Sequence, residues 1–205
     1  MRIAVLGGTG MVGSRIVAEA ASRGHQVTAV SRSGEDPKLD GVSARSADAA
    51  DPATLRSLAG EHDVIVCALG PSRAPGADHR PFLDSIGALI DNAGSARLVV
   101  VGGAGSLVGA DGARLVDNSG FPDAYKPEAL TQAASLEQLR DRATAVDWTY
   151  LSPAPEIAPG ERTGRYAVGG DSPVGARISA EDYAVALVDE VETPAHPQQR
   201  FTVAN

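Results

Sequence analysis

The chain has 205 residues, a net charge of −8, and 43% hydrophobic and 4% aromatic residues, a size and balance that suit one core rather than two. Its 18 Lys and Arg are outnumbered by 26 Asp and Glu and gather into no basic stripe, which argues against nucleic acid as a partner. No run reaches the roughly 20 apolar residues of a membrane span, the start turns glycine-rich too early for a signal peptide, and the single cysteine, Cys67, permits no internal disulfide, so a cytoplasmic protein without a membrane partner is expected.

The predicted elements alternate. Residues 3–6 read as a strand; Val12, Ile16, Val17 and Ala20 then repeat at helical spacing, and residues 26–30 read as a second strand. A weaker third strand ends at Ser46. Asp51-Pro52 reads as an N-cap with Pro in the first turn of the next helix. Residues 64–68 form a fourth strand that holds Cys67 as a small core residue, and residues 98–101 a fifth. Pro127 opens a helix carrying Leu130, Ala133, Ala134, Leu136, Leu139 and Ala143, and residues 148–151 follow as a sixth strand. Ser179 with Asp182 makes a near capping box before Tyr183, Ala184, Leu187 and Val188, and residues 200–203 close the chain as a strand. The strands are continuously apolar, as parallel strands covered on both faces are. The predicted fold class is α/β: one Rossmann-type, doubly wound parallel sheet over residues 1–205, flanked by helices, with a small C-terminal substrate region. The Pro- and Gly-rich residues 152–178 interrupt the rhythm and are expected to form a lid or a substrate wall.

Gly7, Gly10 and Gly13 stand three apart between a strand and a helix. One allows the sharp turn, one admits a pyrophosphate close to the backbone, and one lets the helix pack on the strand. The unpaired N–H groups of the first helical turn then favour an anion. The expected contacts are Gly7, Thr9, Gly10, Met11, Val12 and Gly13. At the tip of the second strand, Ser31, Arg32 and Ser33 stand where an acidic residue would select NAD, and a guanidinium there suits a 2′-phosphate. NADP(H) is therefore the expected cofactor. Asp48 either accepts from the adenine amino group or closes a turn on its own backbone. Ala68, Leu69 and Gly70 give a small-residue exit beside the ribose.

In order along the chain, "GGTGMVG", "SRS", "AD" in "SADAAD", "ALG", "VVVGGAGSL" and "DWTYLSPA" resemble the atypical short-chain dehydrogenase/reductases. These small NAD(P)H-binding proteins are related to biliverdin reductase B, to flavin reductases and to NmrA-type sensors, within the epimerase/dehydratase superfamily. The resemblance covers nearly the whole chain and implies an oxidoreductase. It places Ser106 at the family's active-site Ser and Pro153 at the nicotinamide end. It also implies a catalytic Tyr and Lys four residues apart on a helix, but here Tyr125 and Lys126 are adjacent and Ala129 stands where the Lys would be. Ser106, Tyr125 and Lys126 are thus the candidate catalytic residues, with Ser106 equally readable as a turn residue and Tyr125 as a wall residue.

Two functions follow from that departure. One is an NADPH-dependent reductase of a small molecule that needs little acid catalysis, such as a flavin, quinone or activated carbonyl. The other is a non-catalytic NADP(H) sensor with a protein partner; an epimerase or dehydratase is a lesser third. No metal is expected, because His25, His62, His79 and His196 lack ligand spacing, and no Gly-x-Ser-x-Gly elbow of a hydrolase is present.

Overall fold

A computed structural model describes residues 1–74 and 76–205. Strands β1 (Arg2–Leu6), β2 (Gln26–Ser31), β3 (Val42–Ser46), β4 (Val64–Cys67), β5 (Arg97–Val101), β6 (Trp148–Pro153) and β10 (Gln199–Ala204) pair in parallel in the order β3-β2-β1-β4-β5-β6-β10. Strand β8 (Ala167–Gly169) adds an antiparallel edge on β10, while β7 (Glu156–Ala158) and β9 (Arg177–Ser179) form a separate two-stranded parallel sheet. The order reverses at β1, so the crevice beyond the carboxyl ends of β1 and β4 is the ligand position of a doubly wound sheet.

Apolar side chains alternate between the two faces of each strand and feed two cores. Helices α1 (Met11–Ser22) and α5 (Ala180–Glu192) cover one face through Ile16, Val17, Ala20, Tyr183 and Leu187. Helices α2 (Pro52–Glu61), α3 (Arg80–Asn92) and α4 (Lys126–Arg142) cover the other through Leu55, Leu58, Phe82, Ile86, Leu136 and Leu139. Cys67 is buried in β4, and burial pushes its thiol up to about 11. Among the described residues no helix is long and apolar enough to cross a membrane.

The helix starts follow their caps. Asp51 accepts from the N–H groups of Ala53 and Thr54 at the head of α2, and Ser179 accepts from Asp182 N–H at the head of α5. The expected capping box is only half made. The Asp182 carboxylate turns away to accept from Thr163 Oγ1 at 2.6 Å, Gly164 N at 2.7 Å and Asn205 Nδ2 at 2.5 Å. Helix α3 is absent from the predicted elements; its N-cap, His79, makes no side-chain cap bond, and Pro81 in its first turn is the start signal the sequence carries there.

Buried charge holds the far end of the sheet. Arg97 of β5 donates to Glu190 Oε1 at 2.5 Å, to the Glu190 carbonyl at 2.6 Å and to Thr149 Oγ1 at 2.7 Å. Glu190 also accepts from His196 Nδ1 at 2.7 Å and from the N–H groups of Ala195 and His196. Burial opposes its ionisation, but these donors outweigh burial and hold the carboxyl below its usual range; Asp182 is held low by the same balance. Because the folded-state values are depressed, this stabilisation is complete above about pH 5 and is lost as pH falls below about 4, through the folded-state values. A Glu190→Ala variant takes the buried carboxylate from Arg97, leaving it the backbone carbonyl at 190, Thr149 Oγ1 and a longer contact with Asp147 at 3.6 Å, and is expected to lose about 3 kcal/mol. Denaturant unfolding from pH 7 to pH 3 checks this: the wild-type stability should decline at acid pH, and the variant should be weaker at pH 7 with a shallower acid decline.

Candidate functional site

The glycine turn at the end of β1 is built by contacts that exclude side chains. Gly7 has φ +79, and a Cβ there would lie 2.7 Å from the Ala68 carbonyl oxygen. A Cβ on Gly13 would lie 2.1 Å from the Gly7 carbonyl oxygen. Both are closer than packed atoms approach, so α1 sits on the turn only because position 13 is glycine. Val30 O at the β2 tip accepts from Gly7 N at 2.9 Å and Gly8 N at 3.2 Å, and Gly7 O accepts from Gly10 N at 2.9 Å. Gly10 caps α1 without a side-chain bond. Among the described residues, the N–H groups of Met11, Val12 and Gly13 meet no acceptor. Three orphan donors, a helix N-terminus and a surface without side chains make a fit for a pyrophosphate. Thr9 and Met11 are exposed beside it, and Ala68 and Leu69 at the β4 exit pack directly against Gly7.

The adenosine side is partly tied up in its own loop. Ser31 Oγ accepts from Gly34 N at 3.0 Å and lies 3.3 Å from Ser33 Oγ. The Arg32 carbonyl accepts from Ser46 Oγ at 2.9 Å, while its guanidinium is exposed and forms no hydrogen bond or ion pair with a described residue. Asp48 is exposed and accepts from Ala50 N at 2.9 Å, which makes the turn anticipated as one of its two roles and leaves its second oxygen outward.

Among the described residues no hydrogen bond joins Ser106, Tyr125 and Lys126 to one another. Ser106 follows β5 in a short 3-10 turn, is 8% exposed, and accepts from Arg200 Nη1 at 3.3 Å. Tyr125 is 60% exposed and its hydroxyl makes no hydrogen bond among the described residues; Lys126 begins α4. Pro153 is buried at the β6 tip. The residue that sequence reasoning missed is Gln132. A helical face drawn through Leu130 leaves it out, yet Leu130 is 40% exposed and Gln132 is 9% exposed on the buried face. Gln132 reaches the glycine exits of two strands: its Nε2 lies 3.7 Å from a Cβ placed on Gly70, and its Cβ 3.0 Å from one placed on Gly103.

Residues 152–178 hold a fixed course. Glu19 of α1 accepts from Arg162 at 2.7 and 2.8 Å and from Arg23 at 2.8 Å. Glu181 accepts from Arg15 Nε at 2.6 Å and Gly160 N at 2.7 Å. These bonds tie the helix that carries the cradle to α5 and to the 160–164 stretch. A cavity of about 1120 Å³ lies among residues 156–179 and 204–205 and shares no residue with the glycine turn. Unpaired donors identify a phosphate seat better than volume does, so the turn is taken as the site. The four histidines are engaged in structural hydrogen bonds, such as His79 Nδ1 to Thr131 Oγ1 at 2.8 Å and His62 Nε2 to Thr28 Oγ1 at 2.7 Å. No cluster of metal-binding side chains exists among the described residues.

A mostly parallel sheet with a glycine cradle at its switch point defines a Rossmann-type nucleotide-binding protein. The chain belongs to the NAD(P)H-binding family, which it matches over residues 7–194. It is similar to the structure of a Burkholderia pseudomallei protein provisionally described as exported (45% identity, all of both chains, TM-score 0.88). It is also similar to a Bacteroides thetaiotaomicron protein provisionally described as an epimerase (33% identity, 99% of this chain and 96% of that one, TM-score 0.89). A third neighbour is provisionally described as an NADH-flavin reductase from Streptococcus pneumoniae (32% identity, 100% and 99%, TM-score 0.86).

A Gly13→Ala variant is the sharpest test of the cradle. It should fold with a loss of about 1–3 kcal/mol, from backbone displaced by the new methyl group, and should bind reduced nicotinamide nucleotide at least about tenfold more weakly, a cost near 1.4 kcal/mol. Thermal melts and fluorescence titration measure the two separately.

Proposed function

We propose that this protein is an NADPH-dependent oxidoreductase whose acceptor needs no strong acid from the protein: a flavin, a quinone or an activated carbonyl. The observation that carries this reading is the pairing of an open cradle, with three unpaired N–H groups, and a substrate side on which Tyr125 and Lys126 are adjacent and Tyr125 is largely exposed. Residues at i and i+1 on a helix do not share a face, so Lys126 does not stand one helical turn beyond Tyr125 on its side of the helix.

The chain's own part in the reaction is binding and placement. The turn Gly7–Gly13 holds the pyrophosphate, and Ala68, Leu69 and Gly70 leave room for the ribose. When bound, the reduced nicotinamide supplies the hydride. Ser106, held by Arg200, keeps its own proton available for an acceptor oxygen, and water supplies the proton that completes the reduction. Arg32 selects the 2′-phosphate: its guanidinium is exposed and without a partner among the described residues, and no carboxylate stands at Ser31, Arg32 or Ser33. The Streptococcus pneumoniae neighbour carries NADH in its description, so Arg32 is the position at which this chain is proposed to prefer the phosphorylated form. Cys67 and the acidic balance fit a cytoplasmic setting.

The missing Tyr/Lys pair favours one other reading, a sensor that distinguishes NADPH from NADP⁺ and signals to a protein partner. Epimerisation is less favoured because it draws on the same pair.

Stopped assays with a panel of flavins, quinones and activated carbonyls decide among these. NADPH oxidation with at least one acceptor is expected; silence across the panel with nucleotide binding intact contradicts the reductase and leaves the sensor. For the cofactor, Arg32→Ala should weaken NADPH by about tenfold, the loss of one charge-assisted contact, and leave NADH unchanged. Equal loss for both, or none, contradicts the assignment.

A further inference from the structure

We propose that Gln132 is a further binding residue of this site, whose side-chain amide hydrogen-bonds an oxygen of the nicotinamide-riboside half of the dinucleotide. The proposal rests on the nucleotide reading above and concerns the half of the cofactor that the glycine turn does not touch.

Gln132 sits on the second turn of α4 and is nine-tenths buried. Its inner side meets two buried hydroxyls. Its backbone carbonyl accepts from Ser135 Oγ at 2.7 Å and Tyr150 Oη at 2.9 Å, and both hydroxyls lie 3.4 Å from Oε1. Tyr150 Oη also accepts from Gly103 N at 3.3 Å, which links the residue to the β5 exit. The outer atom, Nε2, has no partner among the described residues and faces Gly70 at the β4 exit. That atom stays in contact with solvent rather than sealed in the core, so an oxygen of a ligand lying in the crevice can reach it.

Neighbouring side chains of α4 bond to the loop that carries Gly70. One turn earlier Glu128 accepts from Arg73 Nε at 2.9 and 3.0 Å, and next to Gln132 Thr131 meets His79, whose Nε2 contacts Ser72 O at 2.9 Å. The loop after β4 is thereby stitched to the first turns of α4, at Glu128 and Thr131 just ahead of Gln132. Gly70 and Gly103 leave open the space a side chain would fill, and the unpaired amide is the polar group lining it. Oxygen acceptors occur on that half of the cofactor as ribose hydroxyls and the carboxamide carbonyl. The adenosine half is held elsewhere, at Arg32 and the α1 N-terminus.

The test separates the two halves of the ligand. NADPH and adenosine 2′,5′-bisphosphate, which lacks the nicotinamide riboside, are titrated into wild type, Gln132→Leu and Gln132→Met. Both variants keep the backbone carbonyl that Ser135 and Tyr150 use, so both should fold, with thermal melts as the check. Each variant should bind NADPH about five- to tenfold more weakly and the bisphosphate as well as wild type does. Unchanged NADPH affinity overturns the proposal while leaving the nucleotide reading intact. An equal loss for both ligands overturns it as general distortion. Wild type that binds neither ligand overturns the nucleotide reading and this proposal together.

Discussion

The contact between Gly13 and the Gly7 carbonyl is the constraint on which the site depends. With 2.1 Å between that oxygen and the position of a Cβ, no other residue lets α1 begin so close to the end of β1. That closeness aims the first-turn N–H groups of α1 into the crevice where the strand order reverses. The helix dipole and the orphan donors act at the same point, and an anion satisfies both. Had α1 started farther away, the donors would face solvent and the crevice would carry no charge preference.

A second set of interactions keeps that arrangement rigid. Helix α1 offers Glu19 and Arg15, α5 offers Glu181 and Asp182, and the stretch from Gly160 to Gly164 bonds to Glu19, Glu181 and Asp182. For Glu19, the bond to Arg162 is the largest influence and outweighs burial, so its carboxyl is held low. The segment anticipated as a lid or wall is thus fastened to the helix that carries the cradle, and its short strands β7 and β9 pair with each other rather than with the main sheet.

Much of the fold is legible because its signals are local. Continuous apolar runs mark the parallel strands, Asp51-Pro52 and Ser179 mark helix starts, and the glycine spacing marks the cradle. What escapes depends on tertiary context. Leu130 and Gln132 illustrate it: apolar periodicity points to Leu130, but the glycines at 70, 103 and 105 draw the face through Ala129 and Gln132 against the strand exits. Asp182 reads as half of a capping box, yet it serves Thr163, Gly164 and Asn205, partners 18 to 23 positions away. Ser106 is placed by its resemblance at an active site, and the buried Arg200 that holds it lies 94 positions further on. Strands β7 to β9, three residues each, are too short for periodicity to register.

Amide chemical-shift mapping with NADPH tests the central claim most directly. If the glycine turn is the phosphate seat, the largest changes fall on the N–H groups of Met11, Val12 and Gly13, with a second set at Arg32 and Ser33. Shifts confined to residues 156–179, around the large cavity, with the glycine turn unmoved, would contradict it.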